Sequence, residues 1–318
     1  MSKATRQAFG EALAKLGESH HEIVVLDADL AKSTKSEIFA KKFPERFFEM
    51  GIAEANMIGT AAGLSFTGKL PFCCSFGAFI TGRYDTIRLS VAYANANVRL
   101  IGTHAGVGIG DDGHSQMGLE DIALMRALPL MGVFQPMDAR ETELIMDYLV
   151  KEWKGPAYLR LTRQNLPDLY PSGAEFKPGK LMEIYKPSQK AQIVSIATGA
   201  AVAEAVGAAK ELAEKGIYMS VWNAHSLKPF DWQKTIEITR DAKLVVTVED
   251  HSVIGGLGSC VAEALASSDK AHGRLIKLGV QDTFGESGEG PELYEKHGIS
   301  SKAIAKGIAG EMHASMAR

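Results

Sequence analysis

Short apolar runs alternate with longer stretches of helical periodicity along the chain, and that alternation limits the fold more than any other property of the sequence. In the first half the runs are IVVLDA (23–28), PFCCSF (71–76), VRLIGTH (98–104), MGVFQP (131–136) and PAYLRL (156–161). Helical patterns lie between them, one starting near Ile52, one ending near Tyr93 and one running from Asp138 to about Val150. Strands alternating with helices predict an α/β domain with a parallel sheet. A stretch rich in Pro, Gly and Lys, 167–188, breaks the rhythm and reads as a linker. A second series follows with AQIVSIA (191–197), IYMSVWNA (217–224), KLVVTVED (243–250) and RLIKLGV (274–280). The expectation is two doubly wound α/β domains, 1–166 and 189–318, the first with a mainly parallel sheet and the second smaller. Ligands should sit at the carboxyl ends of the strands.

With 318 residues, 46% of them hydrophobic, the chain can fill two medium cores. A formal charge of −3 carries no basic excess, so neither nucleic acid nor an anionic membrane is indicated as a partner. No apolar run reaches the roughly 18 to 20 residues that span a bilayer. The opening MSKATRQAFGEAL lacks the apolar core of a signal peptide, and the expectation is a cytoplasmic protein. Cys73 and Cys74 are adjacent and Cys260 stands alone, a spacing of neither a disulfide framework nor a zinc site. Buried free thiols are expected.

Several motifs carry two readings each. GIGDDG (108–113) matches the dinucleotide fingerprint literally, but His114, Ser115 and Gln116 intervene before the next helical pattern near Leu119, so a flexible loop above strand VRLIGTH is the better description. That loop gathers His104, Asp111, Asp112, His114 and Gln116 beyond one strand end, either as a solvated polar loop or as ligating groups without diagnostic metal spacing. Phe76 and Phe79, three apart in SFGAF, stack on one face of a helical turn, as a core pair or as a platform for a ring. Arg6, Arg88 and Arg163 are scattered; Arg163 lies just past a predicted strand, where a guanidinium can grip an anion. EDHSVIGGLGS (249–259) joins a strand to a helix, either as tight glycine packing or as an anion-binding nest.

The stretch FEMGIAEANMIGTAAGL (48–64) poses the sharpest question, because Glu54 stands among small and apolar residues built for close packing. A carboxylate withdrawn from water must be paired or keep its proton, and in the second case it becomes a donor.

Together these segments resemble one family, the transketolases, which use thiamine diphosphate. GIAEANM (51–57) resembles the segment of the cofactor-activating glutamate, and SFGAFITGRYD (75–85) the one whose aromatics hold the aminopyrimidine ring. THAGVGIGDDGHSQMGLEDIALMRALP (103–129) is similar to the substrate-channel loop and helix, RLTRQNLP (160–167) to the phosphate-gripping end of the domain, and FGESGEGPEL (284–293) to a C-terminal domain signature. The Gly-Asp-Gly and Asn pair that holds the metal ion in the family's leading diphosphate-binding domain has no counterpart here, since GDDG belongs to the loop already matched. The chain therefore resembles the C-terminal subunit of a split transketolase, a pyrimidine-binding domain plus a C-terminal domain.

The resemblance implies roles residue by residue. Glu54 would hydrogen-bond a pyrimidine nitrogen of thiamine diphosphate, favouring the cofactor form that gives up its thiazolium proton, with its own pKa raised to suit. Phe76 and Phe79 would stack on the ring, a third aromatic of some members being replaced by Gly82, and Asp29 would lie near the cofactor. Arg6, Ser33 and Arg163 would hold the substrate phosphate, His104 would meet a sugar hydroxyl, and Asp112 would read the hydroxyl configuration beside the carbonyl. Gln116 stands where many members have His and a subset has Gln; it can hydrogen-bond but cannot titrate. The implied reaction moves a two-carbon ketol unit from a ketose phosphate to an aldose phosphate in the pentose phosphate pathway. The partner would be an N-terminal subunit supplying the Mg²⁺ or Ca²⁺ ligands, in an α2β2 heterotetramer. Alternatives are the beta component of a 2-oxo-acid dehydrogenase, a piece of a deoxyxylulose-phosphate synthase, or a non-catalytic scaffold. The phosphate-side set argues against an unphosphorylated oxo acid, and the presence of Glu54, His104, Asp112 and Arg163 argues against a scaffold.

Overall fold

The computed structural model describes residues 2–316, with side chains through residue 312. Its strands are β1 (Lys3–Ala4), β2 (Ile23–Asp27), β3 (Phe47–Glu49), β4 (Leu70–Phe76), β5 (Arg99–Thr103), β6 (Gly132–Phe134), β7 (Ala157–Arg160), β8 (Asn165–Leu166), β9 (Met182–Tyr185), β10 (Ile193–Ala197), β11 (Met219–Asn223), β12 (Ser226–Lys228), β13 (Leu244–Ser252) and β14 (Arg274–Val280). Every residue of β2, β4 and β5 is buried, which requires helices on both faces of their sheet. Successive side chains point to opposite faces, so Cys73 joins the apolar layer of Leu26, Met57 and Ile58 while Cys74 joins that of Phe9, Val25 and Phe72. All three cysteines are buried and free, as expected.

The first sheet runs β12-β6-β7-β5-β4-β2-β3, parallel except for β12. The chain leaves β2 for β3 on one side and then returns to β4 on the other. That reversal opens a crevice at the carboxyl ends of β2 and β4, the place where such sheets bind ligands. The second sheet runs β14-β13-β10-β11-β9, with β9 antiparallel and the others parallel, around an apolar core that includes Ile193, Val221, Val246 and Ile304. This is the two-unit α/β architecture expected. Among the described residues, no helix is long and apolar enough to cross a membrane.

Short elements depart from the sequence reading. β9 lies inside the stretch read as linker, and β12, from beyond it, adds antiparallel to β6 in the first sheet (Ser226↔Phe134, Lys228↔Val133). Three or four residues carry no readable periodicity, so only the neighbouring strand edge decides their pairing. The helix read as running to Tyr93 is broken into Gly77–Thr81, Tyr84–Thr86 and a π-helical Ile87–Tyr93. The break falls at Gly82-Arg83, where glycine weakens the helix.

A buried polar seam joins the two units. Arg160, at the end of β7, donates through Nε to Asp121 Oδ2 at 2.8 Å and through Nη2 to the carbonyls of Gly118 and Asp250, both at 2.9 Å. Tyr158 donates to the same Asp121 oxygen at 2.6 Å. The Arg160 and Asp121 side chains are 1% and 0% exposed, so the pair is buried, with Asp121 Oδ1 left without a hydrogen-bond partner.

Candidate active site

Above the crevice lies a cleft of about 480 Å³ lined by Arg6, Ser33, Phe76, His104, Asp112, Gln116 and Arg163, together with Leu30, Lys32 and Lys35. Chain pairing explains the meeting of the two arginines. β1 and β8 pair antiparallel (Lys3↔Leu166, Ala4↔Asn165), and Thr162 donates its N–H to Thr5 Oγ1 at 2.8 Å. Arg6, near the start of the helix Thr5–Leu16, is thereby set beside Arg163. Arg6 Nη1 donates to the Ser33 carbonyl at 2.8 Å and to His104 Nε2 at 3.0 Å.

His104 follows β5 at φ 54, and its ring stacks on Phe76, the last residue of β4, with centroids 3.8 Å apart. Burial pushes the imidazole down to about 3, helped by the charges of Arg6, Arg163 and Lys35. The ring is therefore neutral at physiological pH. With Nε2 accepting from Arg6, the proton resides on Nδ1, which donates to Thr103 Oγ1 at 2.9 Å. Burial and the nearby Arg163 also lower the Arg6 guanidinium, with Asp112 opposing. Arg6 Nε is buried with no hydrogen-bond partner. Two arginines, two lysines and an idle buried donor suit an anion. Arg163 Nη1 is held by Asp111 Oδ1 at 2.9 Å, Asp112 Oδ2 at 3.1 Å and the Ile109 carbonyl at 3.3 Å.

The wall that carries Ser33, Lys32 and Lys35 is built by Asp27, which the sequence analysis did not single out. Fully buried at the end of β2, Asp27 accepts from Leu30 N–H and Thr34 Oγ1 at 2.7 Å and from Ser36 Oγ at 2.8 Å. Burial raises it to about 6, against the pull of those three donors. The signal for it was the Asp set three residues before an amide, ahead of a Ser/Thr cluster. Asp29 is exposed at φ 63, and its N–H bonds Glu49 Oε1 at 2.7 Å. Lys32 and Lys35 had only their nearness to Ser33 to mark them.

Glu54 opens the helix Glu54–Ser65 and is 6% exposed, although Ile52 beside it is 83% exposed. Among the described residues it makes no side-chain hydrogen bond or ion pair. Its helix packs on β4 and on the short helix carrying Phe79. The Phe76 and Phe79 rings stack at 5.4 Å and 19°. An unpartnered carboxyl group on a helix packed against the one that carries Phe79 suits a heteroaromatic ligand with one hydrogen-bonding edge. Neither Glu54, Phe79 nor Asp29 lines the cationic cleft itself, and Arg88 is exposed outside it.

Two other motifs resolve. GIGDDG forms a 3₁₀ turn, Val107–Ile109, and further turns before the helix Asp121–Ala127, which is not the strand-turn-helix of a dinucleotide site. In EDHSVIGGLGS the amides of Leu257 and Gly258 point at Glu249, which accepts them at 2.7 and 2.8 Å, so the chain fills its own nest. Burial pushes Glu249 up to about 7. A Cβ on Gly256 would meet that carboxylate at 2.0 Å, as tight glycine packing requires.

Residues 1–168 match the family described as "Transketolase, pyrimidine binding domain", and residues 183–304 match "Transketolase, C-terminal domain". A pyrimidine-binding unit followed by a transketolase C-terminal unit is the class that fold and cleft define. The chain belongs to the transketolase family. It is 44% identical over 313 residues to the "Putative transketolase C-terminal section" of Methanocaldococcus jannaschii, covering 98% of this chain and 96% of that one. It is 38% identical to a 6-deoxy-6-sulfo-D-fructose transketolase subunit of Clostridium sp. (strain MSTE9), covering 95% and 92%. Homo sapiens transketolase is 37% identical over 96% of this chain but only 49% of its own length. A solved split-gene transketolase, described as an inactive beta4 tetramer, superimposes with a TM-score of 0.86 at 44% identity, covering 96% of this chain and 97% of that one.

Proposed function

We propose that this chain is one subunit of a thiamine-diphosphate-dependent enzyme that transfers a two-carbon ketol unit from a ketose phosphate to an aldose phosphate. One observation carries the reading: Arg6, Ser33, His104, Asp112, Gln116 and Arg163, scattered over 158 positions, meet in one cationic cleft floored by Phe76. Arg6 and Arg163 bind the substrate phosphate beside Ser33. The neutral His104 hydrogen-bonds a sugar hydroxyl, Asp112 reads the configuration beside the carbonyl, and Gln116 hydrogen-bonds without moving a proton. Phe76 and Phe79 with Glu54 hold the aminopyrimidine edge, and Asp29 lies near it. When bound, thiamine diphosphate supplies the nucleophilic carbon and the electron sink. The described residues contain no cluster of His, Cys, Asp or Glu able to hold a metal. In our reading a partner subunit with the diphosphate-binding domain brings the Mg²⁺ or Ca²⁺ ligands, two copies of each chain assembling in the cytoplasm.

A second reading concerns the anion. The sulfofructose-transketolase subunit at 38% identity acts on a sulfonate, and paired arginines grip a sulfonate as well as a phosphate. The test is to purify the chain with its co-purifying partner and assay ketopentose phosphate and 6-deoxy-6-sulfofructose, each with and without thiamine diphosphate. The expected result is turnover of the phosphate that needs both partner and cofactor, with the chain alone inactive. Turnover of the sulfonate alone reassigns the substrate, and turnover of neither by the correct pair overturns the reading.

A further inference from the structure

The loop that carries Asp112 and Gln116 is pinned from the other domain. Asp250, in β13 of the second sheet and buried, accepts the N–H of Val107 at 2.7 Å on Oδ1 and that of Gly108 at 3.2 Å on Oδ2. These are the first amides of the 3₁₀ turn Val107–Ile109, otherwise without acceptors. Tyr294 donates its hydroxyl to Asp250 Oδ2 at 2.8 Å and receives Gln164 Nε2 at 2.8 Å. Gln164 adjoins Arg163, so one chain of hydrogen bonds joins both arms of the cleft through the second domain. The loop closes on itself where Gly106 N–H bonds the Gly118 carbonyl at 2.9 Å, and just beyond it β13 grips the chain again, with Ser252 N–H donating to the Leu119 carbonyl at 2.8 Å. The fit leaves no room: a Cβ on Gly106 would fall 2.1 Å from the Asp250 carboxylate, and one on Gly110 would fall 3.0 Å from the Gly288 carbonyl.

We propose that Asp250, supported by Tyr294, is a positioning residue for the sugar-phosphate cleft: the second domain holds loop 105–118 in the shape that presents Asp112 and Gln116 beside Arg163. The inference rests on the function proposed above for the substrate, but not for the loop geometry. It gives the C-terminal domain a part in substrate recognition without contact to substrate.

Two variants test it, Asp250→Asn and the milder Tyr294→Phe, which removes one hydroxyl and keeps the ring. In the isolated chain, hydrogen exchange should accelerate roughly tenfold or more at Val107 and Gly108 in Asp250→Asn, the factor that loss of a charge-assisted bond implies, and less in Tyr294→Phe. Exchange in the β2 and β10 strands should stay unchanged. In the reconstituted pair, KM for the sugar phosphate should rise several-fold while kcat and thiamine diphosphate affinity change little. Unchanged exchange at 107–118 in Tyr294→Phe and Asp250→Asn, or an increase spread evenly over the whole chain, overturns the strut. Normal KM in both variants overturns its part in recognition. Local loosening in variants of a chain whose wild-type pair shows no turnover overturns the proposed function and leaves the strut standing.

Discussion

His104 takes a left-handed backbone at φ 54, a conformation that puts its ring on Phe76 and its Nε2 within reach of Arg6. The cost of that position can be read in pH. The folded imidazole protonates only near 3, whereas the unfolded one does so near 6.5, so between those values the unfolded state binds more protons and stability rises with pH. Above about 6.5 the contribution is constant. Asp27, raised to about 6, acts in the opposite sense, because the folded state keeps a proton that the unfolded state releases near 4. The difference between wild type and His104→Gln isolates the histidine: the melting midpoint of the variant should climb less steeply from about pH 4 to 6. An identical slope would show that the ring is not desolvated. Glu54→Gln separates chemistry from structure in another way. Among the described residues the Glu54 side chain makes no hydrogen bond or ion pair, so its amide should alter stability by less than about 0.5 kcal/mol. The reconstituted pair should nevertheless lose roughly 100-fold or more in kcat, since the amide cannot replace a carboxyl group at the pyrimidine nitrogen. A scaffold subunit would assemble and work without noticing the change.

Among the elements, the loop 104–118 is the one whose shape its own sequence does least to determine. It contains glycines at 106, 108, 110, 113 and 118, and three of them have positive φ. Freedom at these positions is costly to order and has to be offset by contacts from elsewhere. Two glycines with similar dihedrals show the difference. At Gly68, φ 86, a Cβ meets nothing, and Gly68→Ala should cost about 1 to 2 kcal/mol from backbone strain alone. At Gly106, φ 91, the Cβ would collide with the Asp250 carboxylate, and Gly106→Ala should cost about 2 to 4 kcal/mol. Urea denaturation of the two variants compares them; equal losses would mean that the second domain yields at this contact.

On the scale of the whole molecule, the two sheets do not behave as beads on a string. β12 comes from the second half of the chain and closes an edge of the first sheet, and Lys228 at its end donates to the Arg126 carbonyl at 2.9 Å. Arg160 and Asp121 are buried in the seam. Arg160→Met would strand the Asp121 carboxylate and should cost about 3 to 5 kcal/mol. Calorimetry should still record one transition at a lower temperature. Two separate transitions in the wild-type protein would sink the idea that the seam couples the domains.

What the sequence determined by itself was whatever repeats locally or is spelled by adjacent residues. The apolar runs and their helical spacers announced the two parallel sheets, because continuous burial of a strand is written in consecutive residues such as IVVLD and LPFCCSF. The resemblance named Arg6, Ser33, Phe76, His104, Asp112, Gln116 and Arg163 of the cleft but not Leu30, Lys32 or Lys35. Tertiary structure alone decided what depends on remote neighbours: that β12 crosses to the other sheet, that Asp27 braces the turn carrying Ser33, and that Glu249 fills its own nest. It also decided that Asp250 reaches 143 positions back to hold Val107. A buried carboxylate is drawn to whichever amides the fold leaves without partners, and which amides those are is known only when the chain has closed.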